Sequence, residues 1–213
     1  VGFCRPPGHH AGRASSVGFC LVNNVAVAAA YAQTLAEIKR VLIVDFDVHH
    51  GQGSQEIFWH DPSVLVFSVH RRDPDFYPCS GDASEVGAGS GYGYNINVPF
   101  QAGYSDACLW AAFAEVLAPL ARRFRPHLIL GSAGFDAVLG DPLGGCACTP
   151  RGFAALAREL HLLAEELCGG RLVLALEGGY EPAALAACVG DVVAALVASA
   201  DARAAKPTGK RDQ

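Results

Sequence analysis

The sequence contains no methionine, no Cys-x-x-Cys pair and little charge. Because no methionine opens the chain, we expect a fragment of a longer protein. The eight cysteines lack zinc-ribbon spacing, and in 213 residues their number does not imply a disulfide framework, so we expect free thiols in a cytoplasmic protein. The net charge of −5 provides no basic footprint for direct nucleic-acid binding. We expect no apolar run of membrane-span length and no membrane partner.

Apolar residues make up 51% of the chain and alternate between strand-like and helix-like patterns. Short apolar runs predict buried strands, and segments with apolar residues at helical spacing predict helices between them. This alternation predicts an α/β domain of three layers, αβα, with a mostly parallel central sheet. The predicted strands are residues 41–44, 64–69, 95–98, 127–130 and 172–176, and the predicted helices are residues 23–39, 52–59, 105–124, 150–168 and 182–199.

Two segments fall outside this alternation. Residues 73–93 are rich in Gly, Ser and Pro and predict a long surface loop, and loops of that length in compact domains are often functional. Residues 200–213 are charged and predict a disordered tail. We therefore expect one folded domain over residues 1–199.

The most informative stretch is residues 41–51, in which an apolar strand ends in two carboxylates and two imidazoles. Asp47 and His49 are two residues apart, so on an extended segment both side chains point to one side. A carboxylate and an imidazole together suit a divalent metal such as zinc. The alternative is a strand end followed by a polar loop, but four ionisable groups beside an apolar strand are costly unless paired or metal-bound. We favour the metal interpretation.

Polar residues also follow two other predicted strands: Asp136 and Asp141 after the fourth, and Glu177 and Tyr180 after the fifth. Ligands bind at the carboxyl ends of parallel strands, so these groups should meet Asp47 and His49 at one edge of the sheet. Asp141 would make a third ligand and leave an open position, which is the catalytic zinc pattern. Taken alone, Asp141-Pro142 is an ordinary turn pair, and Asp136 is expected to cap a turn.

A fourth cluster, His9 and His10, follows a Pro-Pro-Gly turn. A histidine pair in a surface loop is usually solvated, but beside a metal it suits a general base and a general acid. Asp45 is placed to accept a hydrogen bond from a histidine, and Tyr180 to donate its hydroxyl to an oxyanion. The alternative for Tyr180 is an ordinary core or surface tyrosine. The alternative for Glu177 is a carboxylate that is merely paired at the strand end. Together the clusters predict metal-assisted hydrolysis of an amide or ester.

Five motifs together resemble the zinc-dependent histone deacetylase family, in its class II-like and acetylpolyamine amidohydrolase branches. They are RPPGHH at residues 5–10, GFC at 18–20 with Asn23-Asn24, DFDVHHGQG at 45–53, GFD at 134–136 with GDP at 140–142, and EGGY at 177–180. The resemblance covers residues 1–199 and implies the arginase-like α/β fold. It also implies that the N-terminal part of the catalytic domain is missing, because family domains extend upstream of the His-His motif.

The resemblance implies a role for each motif residue. The zinc ligands would be Asp47, His49 and Asp141. The catalytic residues would be His9, His10 and Tyr180, with His10 as general base and Tyr180 polarising the scissile carbonyl. The hydrogen-bond partners of the two histidines would be Asp45 and Gln52.

The resemblance also implies a narrow tunnel for an acyl-lysine side chain and a second metal ion. The tunnel would be lined by Gly18, Phe19, an aromatic at Phe76 or Tyr77, and Leu143. Structural potassium is expected near Asp45, Asp47, His49, Ser68 and Val69.

Two positions bear on activity and substrate. Gln52 stands where class I relatives carry an aspartate; its amide still bonds His10 without adding charge, and we do not interpret it as inactivating. Leu143 is apolar where a polyamine-selective relative has a glutamate. The expected substrate is therefore N-acetyl-lysine in a peptide or protein, with acetylpolyamine second. The alternative of another class is a catalytically silent acyl-lysine-binding fragment, and the oligomeric state is left open.

Overall fold

The structure, a computed structural model, describes residues 1–204 of the chain. Helices and strands alternate as predicted. In chain order the elements are α1 (Asn24–Ala32), β1 (Val41–Asp45), α2 (Gln52–Phe58), β2 (Val64–Arg71), β3 (Asn95–Phe100), α3 (Asp106–Ala111), α4 (Ala118–Phe124), β4 (Leu128–Ala133), α5 (Pro150–Cys168), β5 (Leu172–Leu176) and α6 (Pro182–Ala204). The long loop over residues 73–93 contains a single 3₁₀ turn, Gly89–Gly91.

The five strands form one parallel sheet in the order β3-β2-β1-β4-β5. β1 lies at its centre, and all of its residues are buried. Leu42 and Val44 belong to a core cluster with residues of α3, α5 and α6, whereas Val41 and Ile43 belong to a second cluster with residues of α1 and α2. Because successive strand residues point to opposite faces, this alternation produces the predicted three-layer αβα fold.

α1 is shorter than predicted. It has Asn23 as N-cap, whose side chain accepts a backbone N–H of the first turn, but it ends at Ala32 rather than near residue 39. The N–H groups of Thr34 and Leu35 both bond to the carbonyl three residues earlier, at 3.0 Å. These tight turns replace the helical pattern of bonding four residues back, so the apolar spacing beyond residue 32 does not belong to a helix.

The predicted helix over residues 105–124 is interrupted just before Pro119, the residue that we expected to bend or interrupt it. α3 is followed by a π-helical segment, Ala112–Leu117, and α4 then begins with Pro119 in its first turn. A proline ring lacks an N–H and clashes with the preceding turn of an α-helix. The widened π segment accommodates it without ending the helical path.

α6 is longer than predicted. It continues to Ala204, so the prediction of a disordered tail from residue 200 is wrong for the first residues of that tail. Residues 205–213 lie outside the described part of the chain. Within α6, the 22 residues Pro182–Arg203 are long and apolar enough to cross a membrane by length and composition, so the expectation that no segment reaches that length is wrong. Only 11% of the most apolar part of this helix is buried, and Cys188 and Val192 are its buried apolar residues.

The loops that follow β1, β2, β4 and β5 leave the sheet at the same edge. The register of the parallel strands places Asp45, at the end of β1, beside Ser68 of β2 and Ser132 of β4. In open parallel sheets, ligands bind at this edge. The fold therefore brings the predicted polar clusters to one place.

Candidate active site

Three buried side chains at this edge lie close enough to hold one metal ion. They are Asp47 and His49 from the loop after β1 and Asp136 from the loop after β4, with ligand atoms within 4.8 Å of one another. The Nδ1 atom of His49 is 3.1 Å from Oδ1 of Asp47 and 3.1 Å from Oδ2 of Asp136. Ligand atoms of a tetrahedral zinc ion lie about 3.3 Å apart when the bonds are ~2.0–2.1 Å. The donor set and its spacing therefore fit zinc.

The charges of this cluster also favour a cation. Burial raises the pKa of Asp136 to about 7, and the charge of Asp47 adds to that effect. Burial alone would lower the pKa of His49, but hydrogen bonds to Asp136 and Asp47 raise it to about 10. Two buried carboxylates thus hold a positive charge between them. A divalent metal ion supplies that compensation directly.

The side chain of Asp136 makes different contacts from those of the expected turn cap. Its Oδ1 atom accepts the backbone N–H of Val48 at 2.8 Å, and its Oδ2 atom faces His49. The expectation that Asp136 only caps a turn is therefore wrong. The sequence contained a signal for this role, since Asp136 stands only three residues beyond the end of β4.

Asp141, the predicted third ligand, does not belong to the cluster of three. Its Oδ1 atom accepts the N–H groups of Leu143 (2.8 Å) and Gly144 (3.1 Å), and its Oδ2 atom accepts that of Tyr180 (2.7 Å). These bonds hold its carboxylate beside two residues that line the pocket described below. Ligation by Asp141 stays a prediction, and Asp136 is the competing donor.

His9 is buried between two carboxylates. Its Nδ1 atom is 2.9 Å from Oδ2 of Asp45, and its Nε2 atom is 3.7 Å from Oδ1 of Asp47. Burial alone would lower the pKa of His9, but the charges of Asp45 and Asp47 raise it well above its usual value. The predicted contact between Asp45 and His9 is present in the structure.

His10 has a neutral partner. Its Nδ1 atom is 2.7 Å from Oε1 of Gln52, the predicted contact. Because an amide oxygen can only accept, this contact assigns the ring proton to Nδ1 and leaves Nε2 free to accept a proton. Burial and the charge of His9 lower the pKa of His10 to about 3. The neighbouring carboxylates therefore favour the protonated form of His9, whereas burial and the charge of His9 favour the neutral form of His10.

Glu177 holds the loop that carries these histidines, a role that the sequence did not reveal. Its side chain is fully buried, and Oε2 accepts the N–H groups of Gly8 at 2.6 Å and His9 at 3.1 Å. Burial raises the pKa of Glu177 to about 7. The contact joins the two ends of the domain, and no local pattern predicts it.

Tyr180 is attached to the same centre through its loop. The N–H of Gly178 donates to Oδ2 of Asp47 at 2.7 Å, which ties the loop after β5 to the loop after β1. The ring of Tyr180 meets Phe19 edge-on, with ring centroids 5.9 Å apart. Burial raises the pKa of Tyr180 above its usual value, so its hydroxyl keeps its proton and remains a donor.

A pocket of about 530 Å³ opens in front of His10, His49 and Tyr180. The predicted wall residues all line it, namely Gly18, Phe19, Phe76, Tyr77 and Leu143. Phe76 stacks on His49 with ring centroids 5.1 Å apart, and Tyr77 meets His10 edge-on at 5.0 Å. Among the described residues that line the pocket there is no carboxylate.

Gly18 allows the pocket wall to approach the ring of His10 closely. Its φ is +57°, and a Cβ atom there would lie 2.4 Å from Cδ2 of His10 and 2.8 Å from the Tyr77 hydroxyl. A side chain at this position would displace one of these rings. The next residue, Phe19, also has a positive φ of 65° and places its ring at the pocket mouth, where it is 70% exposed.

The residues predicted to bind potassium lie together beside β1 and β2. Asp45 is next to Ser68 in the sheet, and Val69 is buried beside it. The Ser68 hydroxyl lies 2.8 Å from Nδ1 of His70. Potassium binding at this place stays a prediction.

A second buried polar cluster was not predicted. His50 and His70 lie with ring centroids 4.8 Å apart, and His50 contacts Ser80 at 2.8 Å and Gln55 at 3.1 Å. The Gln55 oxygen also accepts from Asn95 of β3 at 2.7 Å. This cluster anchors the loop over residues 73–93, which supplies two pocket walls. Its sequence signal is the pair of polar residues Ser68 and His70 within the otherwise apolar strand β2.

The chain is similar to known proteins over most of its length. The chain matches the family model described as histone deacetylase domain over residues 1–196. It is 51% identical over 183 residues to histone deacetylase 18 of Arabidopsis thaliana and 50% identical over 189 residues to polyamine deacetylase HDAC10 of Homo sapiens. These alignments cover 83% and 87% of this chain, and 26% and 28% of those relatives.

The fold agrees as well. The crystal structure of the HDA15 HD domain superposes with a TM-score of 0.86 at 47% identity, covering 91% of this chain and 54% of that one. The chain thus spans about a quarter of the length of these two relatives and about half of the solved chain. The family model covers nearly the whole described chain, including every motif at the site. The chain belongs to the histone deacetylase family.

Proposed function

We propose that the protein is a zinc-dependent amidohydrolase that removes acetyl groups from N-acetyl-lysine side chains of peptides or proteins. The observation that carries this proposal is a single pocket lined by His10, His49 and Tyr180. A proton acceptor, a metal-ligating side chain and a hydroxyl donor therefore face one cavity, and amide hydrolysis needs all three. Membership in the histone deacetylase family supports the same reaction.

Asp47 and His49 would hold the zinc ion, with Asp141 as the third ligand and Asp136 bracing His49. We prefer Asp141 because its carboxylate accepts the N–H groups of two pocket residues, Leu143 and Tyr180, whereas Asp136 is bonded to the backbone of Val48 and faces His49 from the fully buried side. When bound, zinc polarises the amide carbonyl as a Lewis acid.

The two histidines would divide the proton chemistry. Nε2 of His10 accepts a proton from the attacking water and returns it to the leaving amine, because Nδ1 already donates to Gln52. His9 stays cationic beside Asp45 and stabilises negative charge that develops near it. Glu177 keeps both rings in place by holding the backbone of their loop.

Tyr180 would stabilise the carbonyl oxygen as it becomes negative. Its hydroxyl is a donor at neutral pH, and its backbone is held by Asp141. An oxyanion donor of this kind accelerates the chemical step without ligating the metal.

The pocket walls favour acetyl-lysine as substrate. Phe76, Tyr77 and Phe19 present ring faces and edges, which suit the methylene chain of a lysine side chain. Leu143 at the wall is 43% exposed and apolar, so a second amine on the substrate would find no carboxylate partner there.

The experiment that tests the proposal measures acetate release from an acetyl-lysine peptide and zinc content on the same sample. Turnover at near-stoichiometric zinc is the expected result. Stoichiometric zinc without turnover on any acyl substrate would contradict the enzymatic proposal and support the silent acyl-lysine-binding alternative.

Acetylpolyamine hydrolysis is the second candidate, because one relative at 50% identity is a polyamine deacetylase. Leu143→Glu would add a carboxylate at the pocket wall, and we expect it to shift kcat/KM toward acetylated polyamines by about 10-fold, since opposite charges attract in a partly desolvated site. Leu139→Glu is the matched control, because Leu139 is 68% exposed and does not line the pocket. A wild-type protein that already prefers polyamines would reverse the order of the two candidates.

We also propose a cytoplasmic location. The eight cysteines are free in the structure, and free thiols persist in a reducing compartment. Fractionation of cells that express the protein tests this, and recovery in an oxidising compartment would contradict it.

A further inference from the structure

Arg71, the last residue of β2, lies between two of the loops that line the pocket. Its backbone N–H donates to the carbonyl of Val48 at 2.8 Å, which ties the end of β2 to the loop after β1. Its side chain is 21% exposed, and Arg71 itself does not line the pocket. The Arg71 side chain therefore acts on the pocket only through the residues that it contacts in these two loops.

The first contact is with the wall residue Phe76. The guanidinium carbon of Arg71 lies 4.1 Å from the centroid of the Phe76 ring. The Nε group of Arg71 donates to the carboxylate of Asp73, which orients the guanidinium plane. The same Phe76 ring stacks on His49, with an interplanar angle of 3°. Arg71 thus supports a ring that contacts both the pocket and a metal-ligand candidate.

The second contact is with the loop that carries Leu143. Nη1 of Arg71 donates to the carbonyl of Gly144 at 3.1 Å. Gly145 leaves room for this bond, since a Cβ atom there would lie 2.7 Å from the same Nη1 atom. The position of Leu143 at the pocket wall is therefore coupled, through one guanidinium, to the position of Phe76.

We propose that Arg71 is a positioning residue that sets the width of the acyl-lysine pocket by holding Phe76 and Leu143 together. This inference rests on the proposed deacetylase function. A guanidinium can stack on a ring and donate in two directions at once, whereas a lysine ammonium cannot present that planar geometry. A pocket of fixed width binds the short acetyl group in preference to longer acyl groups, because extra methylenes would require the walls to separate.

The test compares Arg71→Met and Arg71→Lys with Arg72→Met. Arg72 is the adjacent cation; its Nη2 atom lies 3.8 Å from Asp82, and it has no contact with Phe76 or Gly144 in the described structure. We expect Arg71→Met to raise KM for an acetyl-lysine peptide about 10-fold while kcat changes by less than about 3-fold. Zinc content should not change, and kcat/KM should shift toward a butyryl-lysine peptide. Arg71→Lys should recover only part of the loss, and Arg72→Met should match the wild type.

An unchanged KM in Arg71→Met, the same change in Arg72→Met, or loss of zinc from Arg71→Met would overturn the inference. If Arg71→Met does not fold, Phe76→Leu removes the stacking partner instead and should give the same separation of KM from kcat.

Hydrogen exchange separates this inference from the function on which it rests. Residues 73–79 and 141–146 should both exchange faster in Arg71→Met than in Arg72→Met, whether or not the protein turns over substrate. Absence of wild-type turnover would refute the deacetylase proposal, whereas unchanged exchange in both segments would refute the role of Arg71.

Discussion

The centre and the edge of the sheet are built differently, although both deliver residues to the active site. In the central strand β1 every residue is buried, and apolar side chains cover both of its faces. In the edge strand β5 only Leu174 and Leu176 are buried, and Val173 is 47% exposed. Packing therefore positions the loop after β1 much more firmly than the loop after β5.

Hydrogen bonds compensate for the weaker packing of the edge strand β5. The loop after β5 is attached to the centre by Glu177, which accepts from the His9 loop, by Gly178, which donates to Asp47, and by Tyr180, which donates to Asp141. Each bond joins a backbone N–H to a buried carboxylate. The comparison indicates that packing at the centre positions the candidate metal ligands Asp47 and His49, whereas the position of Tyr180 at the edge depends on these polar contacts.

The largest effect is expected from the proposed third zinc ligand, Asp141, in the loop after β4, the strand next to β1. Asp141→Asn should abolish stoichiometric zinc binding and lower activity by about 10³-fold or more, because a charged ligand is lost. Asp136→Asn should weaken zinc by about 10–100-fold without abolishing it, since it removes a partner of His49. Zinc content after dialysis against a chelator, with acetate release, measures both. The reverse order would assign the third ligand to Asp136.

Tyr180→Phe tests the edge. We expect turnover to fall by about 10²-fold or more with zinc still bound, because one oxyanion donor is removed while the metal cluster is untouched. Single-turnover kinetics and zinc analysis on one preparation are the measurements. Wild-type turnover in this variant would remove Tyr180 from the chemistry and leave the edge with a purely structural role.

Glu177→Gln tests the polar attachment between edge and centre. The amide still accepts one backbone N–H but loses the charge that strengthens both bonds, so kcat should fall by about 10-fold with zinc retained. Glu166→Gln is the control, because Glu166 forms only an exposed pair with Arg122. Equal activity of the two variants would mean that packing alone holds the His9 loop.

The smallest effect is expected from packing at the edge. Val173→Ser should change the free energy of unfolding by no more than about 0.5 kcal/mol, because Val173 is half exposed. Val44→Ser, in β1, should cost several kcal/mol, since it buries a hydroxyl and removes core contacts (about 2–4 kcal/mol). Urea unfolding measures both, and similar losses would show that the edge is packed as firmly as the centre.

The strands and the site motifs were predictable because their signals are local. Four strands, β1, β2, β4 and β5, begin as short apolar runs and are followed by polar residues, and parallel topology then brings the polar ends together. Helix ends were less predictable. The apolar spacing after Ala32 continues where tight turns have replaced the helix, and the end of α6 carries no stop signal at residue 199.

The apolar pattern predicted the α/β architecture, and the family resemblance of the motifs implied the pairings of His9 with Asp45 and His10 with Gln52 and the residues that wall the pocket. Only the tertiary structure revealed the closeness of Asp136 to His49, the anchoring of the histidine loop by Glu177, and the bridge that Arg71 makes between two walls. Motifs identify which side chains a reaction requires, because chemistry restricts residue type and local spacing. The contacts that orient those side chains join loops distant in sequence, and they exist only once the strands are aligned and water is excluded from the carboxylates.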